Sequence, residues 1–278
     1  MLLEIKDVSK IYGESCGLCL DKTGDEQGGA ICPYCGSVVA VNRVSLHIGR
    51  GEVLGIVGES GSGKSTLLQI LYRDIAATSG QAFFTGLRDE NGRCRDLLSL
   101  DMLETAAMRA GMMSMIYQNP RHGINYLFSA GGNIAEKIIG SGQRNFAAIR
   151  SRSLHFFDKI ELPTTRIDDY PETFSGGQQQ RIQIAKALSS SPKLLLLDEP
   201  TTGLDVSVQA GILDLIKSLQ QEMGFSMIVV SHDLGVINHL TDITVVMRNG
   251  SIVEYGLTDQ ILEDPQHEYT QLLVSSIL

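Results

Sequence analysis

Gly58-Glu59-Ser60-Gly61-Ser62-Gly63-Lys64-Ser65-Thr66 is the stretch on which the reading of this chain turns. It follows the short apolar run Val53-Leu54-Gly55-Ile56-Val57, expected as a buried strand, and leads into a helical pattern from Ser65 through Leu71. Glycines at 58, 61 and 63 let backbone N–H groups curl around phosphate oxygens, and the helix that follows turns its positive end toward them. Lys64 is expected to reach the β- and γ-phosphates of a nucleotide. Ser65 is expected to ligate magnesium through its hydroxyl, with Ser60 and Thr66 in the same loop.

The loop fits the Walker A pattern in the strand-to-helix context that confirms it. A second apolar run, Leu194-Leu195-Leu196-Leu197, ends in Asp198-Glu199 and fits Walker B. Such a strand delivers two carboxylates to the C-terminal edge of an open α/β sheet, where these sheets bind ligands. Asp198 is expected on magnesium. Glu199 is placed to polarise an attacking water as general base. Downstream, a helix near 206–222, a strand near 227–230, another helix and a strand near 244–247 alternate. Alternation of this kind predicts a mainly parallel sheet covered on both faces.

Upstream, Leu3-Glu4-Ile5-Lys6-Asp7-Val8 alternates as a half-buried strand does, and strand character returns at 38–41 and 44–48. Between them, residues 13–37 lose apolar periodicity and hold four of the five cysteines, which reads as an inserted module in a single domain spanning 1–278. Residues 90–190 are mostly helical by pattern and are expected to form a helical subdomain. The 278 residues carry 23 basic and 32 acidic side chains, a net charge of −9. That balance argues against a sequence-independent grip on nucleic acid. No apolar run approaches the roughly 18–20 residues that span a bilayer. The opening Met1-Leu2-Leu3-Glu4-Ile5-Lys6-Asp7 is too short and too acidic for a signal peptide. A cytoplasmic location without direct membrane insertion is expected.

Phe174-Ser175-Gly176-Gly177-Gln178-Gln179-Gln180-Arg181, just before Walker B, resembles the signature motif of ATP-binding cassette (ABC) proteins, with Phe174 where that family usually has Leu. Gln118 before Asn119-Pro120 resembles the family's Q-loop, Gly203-Leu204-Asp205 its D-loop and His232 its switch histidine. Tyr12 resembles the aromatic residue that stacks on adenine. The resemblance covers almost the whole chain outside 13–37. It implies a P-loop α/β fold with an antiparallel β subdomain and a helical subdomain. It also implies ATP hydrolysis with Mg2+ held by Ser65, Gln118 and Asp198, and catalysis by Glu199 and His232. Two cassettes, alike or different, would close head to tail. Ser175, Gly176, Gly177 and Gln178 of one would complete the ATP site of the other, with Asp205 at the seam.

Within the family, Asp264-Pro265-Gln266-His267-Glu268-Tyr269-Thr270-Gln271-Leu272-Leu273 resembles the tail of oligopeptide and nickel importer ATPases. Segments 129–134, 166–174, 256–259 and 272–278 together resemble the cassettes of bacterial carbon–phosphorus lyase systems. That likeness implies docking on the soluble lyase core during alkylphosphonate breakdown; an importer ATPase is the alternative. A cassette acting on ribosomes or in DNA repair would carry two cassettes in one chain or a long coiled coil, and neither is present.

Cys16-Gly17-Leu18-Cys19 and Cys32-Pro33-Tyr34-Cys35-Gly36 form two Cys-x-x-Cys knuckles. Each puts two thiolates on one side of a tight loop, which suits a tetrahedral ion, with zinc the expected metal. An iron–sulfur cluster, a redox dithiol and unligated thiols are the alternatives. Cys94 has no partner at ligand spacing and is read as a free thiol.

Overall fold

The structure, a computed structural model, describes residues 1–88, 92 and 94–276. Glu90 at the start of the expected helical stretch, Arg93 beside Cys94, and Ile277 and Leu278 of the C-terminal segment lie outside the described residues. In chain order the elements are β1 (Leu3–Tyr12), β2 (Val38–Ile48), β3 (Val53–Val57), α1 (Lys64–Leu71), β4 (Ser79–Arg88), β5 (Cys94–Asp96), α2 (Met102–Gly111), β6 (Met113–Ile116), α3 (Pro120–Gly123) and α4 (Ala130–Gly140). They continue with α5 (Phe146–Lys159), α6 (Gly176–Leu188), β7 (Leu194–Asp198), α7 (Val206–Met223), β8 (Ser226–Ser231), α8 (Leu234–Leu240), β9 (Ile243–Arg248), β10 (Ser251–Leu257), α9 (Thr258–Glu263) and α10 (Glu268–Ser275).

The chain divides into two compact units, residues 1–100 with 228–278, and residues 101–227. In the first, an antiparallel sheet runs in the order β2-β1-β4-β5. The alternation of β1 sends Leu3, Ile5 and Val8 inward against Val44, Leu46 and Ile48 of β2. The two stretches expected as strands at 38–41 and 44–48 are one strand, bent where Arg43 adopts φ +49°. Residues 13–37 are the connection between β1 and β2, and Tyr12 pairs with Val38 at its base. The same unit holds β3 parallel to β9, with β10 antiparallel on its outer side. All five residues of β3 are buried, as a strand covered on both faces requires.

In the second unit β6 runs parallel to β7, residue for residue from Met113↔Leu194 to Ile116↔Leu197. Sequence pattern missed β6. Met113-Ser114-Met115-Ile116 has one β-branched residue and adjoins a helical pattern, yet burial of all four fixes it as a strand. Helices fill the rest. α2 opens on a reciprocal capping box between Asp101 and Glu104, and α7 stops at Gly224 in the left-handed conformation.

Candidate functional site

In the first unit, the loop between β3 and α1 is built from backbone. Gly63 caps α1 at φ +102°, and a Cβ there would sit 2.0 Å from the carbonyl oxygen of Ala40. Only glycine fits that turn. Lys64 is 4% exposed. Its ammonium donates to the carbonyls of Gly58 and Glu59, both at 2.7 Å, and to Ser62 Oγ at 3.2 Å. The loop therefore concentrates a positive charge beside a helix N-terminus, the arrangement that receives phosphate. Gly58, Ser60, Gly61, Ser65 and Thr66 all belong to this loop and the first turn of α1. His232 follows β8, exposed, ahead of Asp233, whose carboxylate caps α8 at Gly235 N. Tyr12 ends β1 with Lys10 Nζ 5.0 Å from its ring centre.

In the second unit, β7 carries Asp198, 7% exposed, to the strand end. Glu199 follows with φ +46°, left-handed backbone that a residue with a Cβ adopts at a cost. Its carboxylate Oε2 accepts from Thr202 Oγ1 at 2.9 Å and Gln118 Nε2 at 3.3 Å. Gln118, Walker B and the residues after it are thus brought together in one unit. A cavity of about 580 Å³ opens there, lined in part by Gln118, His122, Gly176, Thr202 and Leu204.

Ser175 caps α6, with its hydroxyl accepting from Gln178 N while Gln178 Oε1 accepts from Ser175 N. This capping box holds Gly176 and Gly177 at the positive end of a 13-residue helix. The D-loop side packs against them: a Cβ on Gly177 would meet Val208 Cγ1 at 2.5 Å. Asp205 stands at the N-cap of α7 without making a capping bond.

Residues that pattern did not single out hold these groups. Buried Gln183 accepts from Tyr117 N at 2.8 Å and donates to Tyr117 O at 3.1 Å, so its amide grips the backbone beside Gln118. Thr202 orients Glu199. Tyr269, which in the sequence is only one residue of a tail segment, accepts from Glu59 N at 2.9 Å. No local signal marks these roles, because each is set by the fold around the side chain.

The four cysteines of 13–37 converge. All four sulfurs lie within 4.8 Å of one another, with Cys16–Cys19 and Cys16–Cys32 at 3.7 Å and Cys19–Cys35 at 3.5 Å. Zn–S bonds of about 2.3 Å set a tetrahedral edge of about 3.8 Å, so the sulfur frame fits one such ion. The hydroxyl and backbone N–H of Ser37 pull the Cys35 thiol down to about 6. The Leu18 backbone N–H pulls Cys16 down, but desolvation and the neighbouring thiols push it up to about 11. Four thiols this close cannot all ionise without a cation between them. Cys94 is exposed on β5, away from this group in sequence.

The ABC transporter family description matches residues 41–202. The chain is 46% identical over 235 residues to the phosphonates utilization ATP-binding protein PhnK of Escherichia coli (strain K12), covering 84% of this chain and 90% of that protein. It is 39% identical over 251 residues to the oligopeptide transport ATP-binding protein OppD of Bacillus subtilis (strain 168), covering 88% of this chain and 68% of that protein. Its fold is similar to the dimeric ATP-binding cassette MJ0796 in a post-hydrolysis state bound to ADP and Pi. That likeness has a TM-score of 0.74 and 27% identity, over 92% of this chain and 99% of the other.

Proposed function

We propose a function from one premise: the chain belongs to the ABC transporter family and is an ATPase. Its ATP cycle serves phosphonate breakdown by docking on, and rearranging, a soluble carbon–phosphorus lyase core. The observation that carries this reading is the 46% identity to PhnK across 90% of that protein. The oligopeptide and dipeptide transport ATP-binding proteins support the second reading, an importer ATPase, at 38–40% identity. Among the described residues no helix is long and apolar enough to cross a membrane.

In this function the first unit supplies the phosphate cradle through Gly58–Thr66, with Lys64 as its charge and His232 at the γ-phosphate. The second supplies acid–base chemistry. Glu199, oriented by Thr202 and Gln118, takes a proton from the attacking water. Mg2+ neutralises phosphate charge when bound; Ser65 is its proposed ligand in the first unit, and Gln118 and Asp198 are those in the second. Ser175, Gly176, Gly177 and Gln178 reach the ATP of a second cassette, with Asp205 at the seam, and Tyr12 contacts adenine.

Cys16, Cys19, Cys32 and Cys35 would hold zinc as a closed structural site, which cross-links the module when bound. An iron–sulfur cluster spreads its four thiolates over two or more irons and needs a wider frame than one within 4.8 Å.

The test is isolation of the tagged full chain carrying Glu199→Gln, which retains ATP, from native cells grown on a phosphonate as phosphorus source. Soluble phosphonate-processing enzymes in stoichiometric amount are the expected companions. A polytopic permease in their place would overturn the reading in favour of the importer.

A further inference from the structure

The cysteine module and the phosphate loop are both in the first unit, and two routes join them, one of hydrogen bonds and one of ion pairs, a ring contact and hydrogen bonds. The first runs through Asn42. Its side chain donates to the carbonyls of Leu20 and Thr23 inside the module, at 2.9 and 3.0 Å. Its backbone N–H donates to Gly250 O at 2.8 Å, and Gly250 N in turn donates to Ser62 O at 3.0 Å. Ser62 Oγ is a partner of Lys64 Nζ.

The second route starts at Asp25, on the module's rim. Its carboxylate faces Arg248 at 3.1 Å and His267 Nε2 at 3.3 Å. The Arg248 guanidinium lies over the Tyr269 ring, 4.7 Å from its centre. His267 Nδ1 accepts from Tyr269 N at 3.2 Å and so fixes the start of α10. Tyr269 is 2% exposed, and its phenol oxygen accepts from Glu59 N across 210 positions of sequence. Glu59 O is again a partner of Lys64.

Both routes therefore end on residues that hold the one buried ammonium of the phosphate loop. A loop carbonyl or hydroxyl displaced by a fraction of an ångström changes how that charge is presented. The module itself has little core besides Cys19, Cys32, Val39, Ile11 and Leu20, so its geometry depends on what joins its sulfurs.

We infer that Asn42 and Tyr269 are positioning residues of the ATP site, through which a metal held by the four cysteines and the bound nucleotide stabilise one another. The inference rests on the zinc reading above. It has a reciprocal form: metal occupancy tightens ATP binding, and ATP tightens metal retention by the same factor. One or two hydrogen bonds set the size, a coupling of about three- to tenfold.

The experiment uses the full chain in the Glu199→Gln background. Metal per chain is first counted by elemental analysis. ATP affinity is then measured with the metal present and after chelation, and metal transfer to a chromophoric chelator is followed with and without ATP. One zinc per chain is expected, with ATP affinity falling about three- to tenfold on chelation and metal retained more tightly by the same factor when ATP is present. Tyr269→Phe keeps the ring under Arg248 and removes only the hydroxyl. It is expected to lower the coupling ratio about two- to threefold with metal content unchanged, and Asn42→Ala combined with it to bring the ratio to about one. A merely structural role would weaken ATP binding equally with and without metal and leave the ratio unmoved, which overturns the inference. One zinc per chain with ATP affinity indifferent to it overturns the linkage alone. No metal in the purified chain overturns the zinc reading and the linkage together.

Discussion

The phosphate loop and the cysteine module are both glycine-containing connections in the first unit, yet a turn glycine in each, Gly63 and Gly36, sits in opposite surroundings. At Gly63 the backbone of a neighbouring strand fills the space where a side chain would go. In the module, Gly36 has φ +73°, and a Cβ added there would meet nothing within 4 Å. Gly58 and Gly63 pack against the backbone of β9 and β2, whereas Gly36 lies in open space next to Cys35 of the four-sulfur cluster. A loop that must bind and release its ligand on every turnover keeps its form through packing. A loop whose ligand is resident can leave its form to that ligand.

Three variants sharpen or break this contrast. The largest effect is expected from Gly63→Ala, whose Cβ would meet backbone rather than a side chain that could move. Nucleotide affinity should fall at least a hundredfold by titration calorimetry; a loss under tenfold would show the loop to be pliable. Next is Cys19→Ser with Cys32→Ser, the two buried cysteines of the proposed metal site. Metal content and amide-exchange protection across 13–37 should be lost while β3 and α1 keep their protection. Loss of protection in β3 as well would show that the module is part of the core. The smallest is Gly36→Ala, which meets open space and faces only the left-handed backbone penalty of about 1 kcal/mol. Metal affinity should fall about fivefold in chelator competition, with ATP binding of the metal-loaded protein unchanged.

The same contrast explains what the sequence made legible. Walker A, Walker B and the cysteine pairs are local patterns, in which the chemistry and the spacing sit within a few residues of each other. They were readable with the strands and helices that carry them. β6 was not, because four residues are too few for a period and its burial is set by neighbours elsewhere in the chain. Gln183 and Tyr269 were not, because a glutamine in a helix or a tyrosine near the tail has no distinguishing neighbour until folding brings Tyr117 or Glu59 to it. The candidate site groups are written in motifs, whereas the groups that hold them are written in topology.

Glu199 adds an evolutionary consequence. Its backbone sits at φ +46°, a conformation glycine adopts without penalty. Replacement by glycine would relieve strain of about 1 kcal/mol while removing the carboxylate that faces Gln118 and Thr202. Under the proposed role of Glu199 as general base, folding stability and turnover pull this codon in opposite directions. In a duplicated copy relieved of its catalytic duty, drift at this position would be welcomed by the fold, and the first scar of retirement would be a sturdier protein.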